Sequence, residues 1–334
     1  MSKNIFKELE KNIGELESIS ESDRIIMLKN IQAMKEKKIN VMITGATGCG
    51  KSSTINALFN TEKAKVGVGV DPETMTIEKY ELDNLTLWDS PGLGDGKEKD
   101  NQHSKNIIDL LYKKDADGNV LIDLVLVILD GGSRDLGTSY ELINQVIIPA
   151  LGDSAKDRIL VAINQCDMAM KGRYFNYEEN KPEPKLVEFL DEKVMSVKNR
   201  IKEATGVDIE PMYYSAGFKE EGMPQQRPYN LSKLLYFIVK HTPKEKRFHF
   251  AQNISKEKKM WEDNDSVKDY NTEMKKDFFE SMVESVTNGA SAGATIGATI
   301  GGVFGVKGAA IGGAIGTGVG AAFGLAKSIF SRLF

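Results

Sequence analysis

Two cysteines, two tryptophans and three histidines are all that this chain of 334 residues carries of those types. So few cysteines exclude an oxidised secreted scaffold, and Cys49 and Cys166 are expected to be reduced thiols in a cytoplasmic protein. The opening, MSKNIFKELEKN, has no apolar run of the kind a signal peptide needs. Positive charge is not in excess either. Lys and Arg number 44 against 48 Asp and Glu, a net charge of −4, so no nucleic-acid partner is expected. The last absence is local: from Val286 to Phe334 there is no acidic residue, and Gly and Ala dominate. What remains is ordinary for a chain that buries a core, with 41% hydrophobic and 28% charged residues.

Hydrophobic spacing divides the chain into four segments. Residues 1–37 read as a helical pair. Ile5, Phe6, Leu9, Ile13 and Leu16 recur at helical spacing, and Ser20 or Ser22 caps a second helix. Residues 38–242 alternate strand and helix. The predicted strands are Ile39–Thr44, Thr76–Leu82, Leu85–Trp88, Leu121–Leu129, Arg158–Asn164 and Met212–Ser215. The predicted helices span 51–59, 102–113, 137–150, 184–204 and 231–240. Apolar runs at 121–129 and 158–163 suit parallel strands covered on both faces. The Asp83-Asn84 turn predicts one antiparallel pair. This pattern predicts a three-layer α/β domain with a mostly parallel sheet and right-handed crossovers. Residues 243–285 are highly charged and read as an exposed helical linker. Residues 286–334 form a glycine-rich tail.

One motif is complete. Gly45-Ala46-Thr47-Gly48-Cys49-Gly50-Lys51-Ser52 fits G-x-x-x-x-G-K-[ST], with the apolar strand INVMIT before it and SSTINALF after it. Such a loop points backbone N–H groups at phosphate oxygens, and the next helix adds its positive N-terminal end. Lys51 is expected to reach the β- and γ-phosphates and Ser52 to hold Mg²⁺, with Ser53 completing the phosphate-binding set. The strand at Leu85–Trp88 ends in Asp89-Ser90-Pro91-Gly92. Asp89 would hold Mg²⁺ through water, and the Gly92 amide would meet a γ-phosphate. Between these motifs, Val66–Thr76 looks like a mobile loop. Thr74 or Thr76 would supply the hydroxyl that senses metal and γ-phosphate, with Thr74 favoured.

On the other side of the site, RILVAIN runs into Asn164-Gln165-Cys166-Asp167. Guanine offers N1–H and an N2 amine on one edge, and the Asp167 carboxylate accepts both. Adenine would leave that carboxylate unpaired. Asn164 is expected to tie the phosphate loop to the base edge. Met212-Tyr213-Tyr214-Ser215-Ala216-Gly217 would bring a backbone amide near Ala216 to guanine O6.

This order of motifs is similar to that of the Era-like branch of the translation-factor-related GTPases. More closely, TGATGCGKSSTINALF, VGVGVDPETM, DSPGLGDG, SRDLGTSYELI, INQCDMAMKGR and RPYNLSKLL resemble the prophage-associated bacterial YeeP/YfjP-type GTPases over roughly 38–242. Gln165 and Gly217 stand where related GTPases carry Lys. The resemblance implies a six-stranded mostly parallel sheet, GTP/GDP and Mg²⁺, and slow hydrolysis. Leu93 stands where several GTPases place a water-orienting Gln, and Leu cannot orient water. Charge neutralisation would come from Arg134, or from an Arg of a second protomer in a homodimer or oligomer. The plainer alternative for Arg134 is a loop ion pair with Asp135 or a neighbour.

In the tail, Gly289, Gly293, Gly297, Gly301 and Gly305 recur every four residues, as do Gly308, Gly312, Gly316, Gly320 and Gly324. On helices each set makes a smooth stripe that lets helices pack closely, with Lys307 at the tip of a hairpin. The tail is a membrane-inserting hairpin, a self-association zipper or a disordered segment. The first of these would give peripheral or inner-membrane association. Three functions follow: a regulatory GTPase switch at a membrane, a GTP-gated membrane-disrupting effector, or a GTP-binding scaffold with negligible turnover.

Overall fold

The computed structural model describes residues 5–15, 19–59, 65–68, 77–91, 96–218, 226–290 and 333. Thr74, Thr76, Gly92, Leu93 and the tail from 291 to 332 lie outside the described residues.

The chain begins with α1 (Ile5–Gly14) and α2 (Glu21–Glu36). Ser20 caps α2, its Oγ accepting from the Asp23 amide at 3.1 Å, which satisfies one of the unpaired donors at a helix start. Then follow β1 (Ile39–Gly45), α3 (Lys51–Leu58), β2 (Lys65–Val68), β3 (Glu78–Glu81), β4 (Leu85–Asp89) and α4 (Lys97–Tyr112). After β5 (Leu124–Asp130), α5 (Gly137–Glu141) runs through a π-helical turn, Leu142–Ile147, to a last turn at Ile148–Leu151. The series continues with β6 (Ile159–Asn164), the small hairpin β7 (Phe175–Asn176) and β8 (Lys181–Pro182), α6 (Pro184–Thr205), β9 (Met212–Tyr213) and α7 (Leu231–Lys240). A 3₁₀ segment at Lys244–Gln252 leads to α8 (Tyr270–Thr287).

The sheet runs β2-β3-β4-β1-β5-β6-β9. β4, β1, β5, β6 and β9 are parallel, while β3 pairs antiparallel with β4 across the Asp83-Asn84 turn. All six expected strands are present. The edge strand β2, antiparallel to β3, adds a seventh in a stretch read from sequence partly as mobile loop. Side chains alternate between the faces as strand geometry requires. On β5, Leu124, Leu126 and Ile128 belong to one core, and Val125, Val127 and Leu129 to the other.

The reading of 243–285 as an exposed linker is corrected. Phe248, His249, Phe250 and Ala251 are buried, and so are Met274, Phe278, Phe279, Met282, Val283 and Val286 on α8. Their charged neighbours reach carboxylates far away in sequence. Lys246 pairs with Asp123 at 2.7 Å, while Lys240 and Arg247 pair with Asp277 at 2.8 and 3.5 Å. The segment joins α1 and α2 in one helical layer, and Leu333 belongs to the same core. The C-terminal end of α8 is held by Asn30 of α2, whose Nδ2 donates to Val286 O and Asn288 O at 2.9 and 2.8 Å.

Candidate nucleotide-binding site

The glycine loop, Asp89, Asn164–Asp167 and Ser215–Gly217 meet where the parallel strands end, the place where open α/β sheets bind ligands. β1, buried along its length, delivers the loop Gly45–Gly50 to the start of α3. Two of its glycines are required by geometry. A Cβ on Gly45 would lie 2.2 Å from Ile128 O, and one on Gly50 would lie 2.3 Å from Asn164 Nδ2. Gly50 also has φ +87°, in the left-handed region that glycine tolerates. Ser52 is exposed in the first turn of α3 and Ser53 is half-buried. Lys51 folds back over the loop, its Nζ donating to Gly45 O and Ala46 O at 3.3 Å.

Asp89 ends β4, paired in register with Ile43 of β1. It is buried, and its Oδ1 has no hydrogen-bond partner among the described residues. Burial raises its pKa to about 6, opposed by the Lys51 charge and reinforced by Glu78. A buried, unpaired carboxylate oxygen facing the phosphate loop suits a divalent cation, and the exposed Ser52 hydroxyl suits it as a second ligand. The next residue is fixed from both sides. Ser90 Oγ donates to Thr44 Oγ1 at 2.7 Å, and the Ser90 amide donates to Ile43 O at 3.0 Å.

On the base side, Asn164 ends β6 and is buried. Its Nδ2 donates to Cys49 O at 3.0 Å, and its Oδ1 accepts from the Ala216 amide at 3.0 Å. One side chain thus ties the phosphate loop to the Ser215–Gly217 loop. Gln165, held at φ +57°, adds a second tie, its Nε2 donating to Gly48 O at 3.0 Å. The sequence showed Gln165 only as a shorter, neutral replacement for Lys. The structure shows its amide clasping the loop without a charge. Asp167 is buried, and its Oδ1 has no partner among the described residues. Ser215 pairs with Tyr229 through both backbone groups at 2.9 Å, and its Oγ accepts from the Gly217 amide at 3.3 Å. Burial pushes the Cys49 thiol up to about 11 and that of Cys166 well above its ordinary value, so both remain protonated thiols.

Arg134 is exposed and lines a cavity of about 620 Å³ with Gly132, Ser133, Lys171, Arg173 and Phe189. Lys193, which sequence gave no reason to single out, donates to Gly131 O and Ser133 O, both at 2.7 Å. It thereby braces the loop after β5 against the Asn164 backbone, to which the Gly131 amide donates at 2.7 Å.

Residues 2–111 match the family model described as Interferon-inducible GTPase (IIGP). That match takes in α1 and α2, which the sequence resemblance did not cover. The chain is 30% identical over 152 residues to YfjP of Escherichia coli K12, covering 44% of this chain and 48% of that one. The sheet and the Gly45–Ser52 loop make this a P-loop α/β domain, similar in sequence to YfjP. It is also 42% identical over 62 residues to Interferon-inducible GTPase 1 of Mus musculus, covering 17% of this chain and 15% of that one. The chain spans about half the length of YfjP. Among solved structures, the LeoA bacterial dynamin GTPase from ETEC aligns with a TM-score of 0.40 and 13% identity, over 98% of this chain and 46% of that one.

Proposed function

We propose that the GTPase domain binds GTP and GDP with Mg²⁺, hydrolyses GTP slowly, and acts as a nucleotide-dependent switch at a membrane through residues 286–334. The observation that carries the base specificity is Asp167. Its buried Oδ1 has no partner among the described residues, beside a loop held in place by Asn164 and Gln165. A buried acceptor of that kind demands a donor, and the guanine edge supplies two. Lys51 and the amides of the glycine loop would hold the phosphates, aided by the N-terminal end of α3. Ser52 and Asp89 would hold Mg²⁺, with Thr74 as a further ligand, and the ion would neutralise phosphate charge. Leu93 in place of a polar residue argues for slow turnover.

The switch reading draws on α3. That helix begins at the phosphate loop and ends on the helical layer. The Ser255 amide donates to Leu58 O at 2.9 Å, Phe59 forms a bridge with Ile254, and Phe59 stacks on Phe250 at 6.3 Å. The same layer holds the root of the tail through Asn30. Among the described residues no helix is long and apolar enough to cross a membrane.

Competition against fluorescently labelled GDP tests the first part. GTP and GDP should displace the label and ATP should not, while Asp167→Ala should weaken GDP about 100-fold or more through the loss of two charge-assisted hydrogen bonds. Displacement by ATP as good as by GTP would overturn the guanine reading. Flotation of the full chain with liposomes tests the second part. More protein should float with a non-hydrolysable GTP analogue than with GDP, whereas no flotation in either state would remove the membrane role. Leakage of the liposomes would favour the membrane-disrupting effector.

A further inference from the structure

Behind the nucleotide motifs lies a third link between the phosphate and base sides. Thr54 sits on α3, two residues after Ser52, and is fully buried. Its Oγ1 lies 2.8 Å from Gly50 O and 2.7 Å from the Tyr214 hydroxyl. A threonine hydroxyl has one hydrogen, and a carbonyl only accepts. The Thr54 proton therefore goes to Gly50 O, and the Tyr214 hydroxyl donates to Thr54. Tyr214 is itself fully buried, and burial holds its phenol far above the ordinary range, so the donor proton is always present.

The backbone of Tyr214 is committed to the base side. Its N–H donates to Ile163 O at 2.9 Å, and its carbonyl accepts from the Cys166 amide at 3.1 Å. The next residues are Ser215, Ala216 and Gly217. Besides the Gln165–Gly48 tie, two braces therefore span the same gap. One is Asn164, which joins Cys49 O to the Ala216 amide. The other is the chain Tyr214–Thr54–Gly50, on the core side of the same loops. Together they close a ring through Cys49 and Gly50 of the phosphate loop. Neither Thr54 nor Tyr214 belongs to a nucleotide motif.

We propose that Tyr214 and Thr54 are positioning residues that set the spacing between the phosphate loop and the base-reading loops, and so set the lifetime of a bound guanine nucleotide. This rests on the nucleotide reading of the site. A nucleotide occupies both subsites at once, so a small change in their separation weakens the whole ligand even when each subsite keeps its contacts. If the pair served only to fill the core, its loss would change stability, with nucleotide release following stability alone.

The test measures two quantities, the release rate of fluorescently labelled GDP and the Tm without nucleotide, on the full chain and four variants. Tyr214→Phe leaves Thr54 bonded to Gly50. Its Tm should stay near that of the parent while release becomes about tenfold faster. Thr54→Val leaves a fully buried phenol donor unpaired, so Tm should fall and release should be fast. Adding Tyr214→Phe to Thr54→Val removes the orphaned donor, so Tm should recover while release stays fast. Thr54→Ser keeps the hydroxyl chain and should bring release back to the parent rate. An unchanged release rate in Tyr214→Phe would overturn the proposal. So would a double variant whose release recovers together with its Tm. A parent chain that retains no labelled GDP would overturn the nucleotide reading itself, a result distinct from either.

Discussion

The two faces of the sheet are covered to different depths. On one face, α4, the α5 region and α6 pack Ile107, Leu110, Ile143, Leu186 and Leu190 against Val125, Val127, Val161 and Ile163, and their outer surfaces meet solvent. On the other, α3 and α7 pack Ile55, Leu58, Leu234 and Leu235 against Val41, Ile43, Leu126 and Leu160. A further layer made of α1, α2, the 3₁₀ segment and α8 then covers them. The doubly covered face is built from both ends of the described chain, and the helix leaving the phosphate loop runs into it. Any movement of α3 on that face meets packed side chains, whereas a movement of α4 or α6 meets water on its far side. Under the proposed switch, the double layer would carry movement of α3 towards the root of the tail.

The largest expected effect tests whether that layer is one unit with the sheet. Phe248 is fully buried, its ring meets Phe6 edge-on at 5.6 Å, and its amide donates to Ser281 Oγ at 3.1 Å. Phe248→Ala should cost about 3–5 kcal/mol, the usual range for removing a buried aromatic ring. Far-UV circular dichroism on heating should show one transition at a lower temperature. The Lys246–Asp123 pair and the Leu58–Ser255 bond join the layer to the sheet, so both should melt together. Two separate transitions would break the comparison by making the layer an independent domain.

The difference in depth also governs what was legible in the sequence. β1, β5 and β6 could be read because burial on both faces needs an unbroken apolar run, and such runs are visible locally. The site was readable for a similar reason. Gly45–Ser52, Asp89 and Asn164–Asp167 each sit at a strand end, where chemistry and backbone geometry coincide within a few residues. The outer layer was not legible between 243 and 285. KEKRFHF looks solvated, yet Lys246 and Arg247 are satisfied by Asp123 and Asp277, 123 and 30 residues away in sequence. A 3₁₀ turn also lacks the spacing that marks an amphipathic α-helix. Arg134 was unreadable for the opposite reason, since a single exposed charge carries no spacing at all. It lines one cavity with Lys171 and Arg173, which come from a distant stretch of sequence.

The smaller effect asks how dry the double layer is. His249 is fully buried on the 3₁₀ segment, its ring 6.0 Å from Phe6 of α1 and 6.1 Å from Phe248, and neither ring nitrogen has a partner among the described residues. Burial, followed by the charges of Lys246 and Lys37, lowers its pKa from 6.5 to about 4. In the unfolded chain the ring protonates near its ordinary value, so between those two pH values the unfolded state binds more protons. The stability associated with a neutral His249 is therefore fully present above the unfolded pKa. It declines as pH falls through 6.5 towards 4, by up to about 3 kcal/mol in all. His249→Phe removes the titration and keeps a ring among rings. Denaturant melts at several pH values should then show the variant losing less stability than the parent between pH 6.5 and pH 4, with the gap closing above pH 7. Parallel losses in the two proteins would mean that water reaches the ring, and that the layer over α3 is looser than the packing of Phe6 and Phe248 implies.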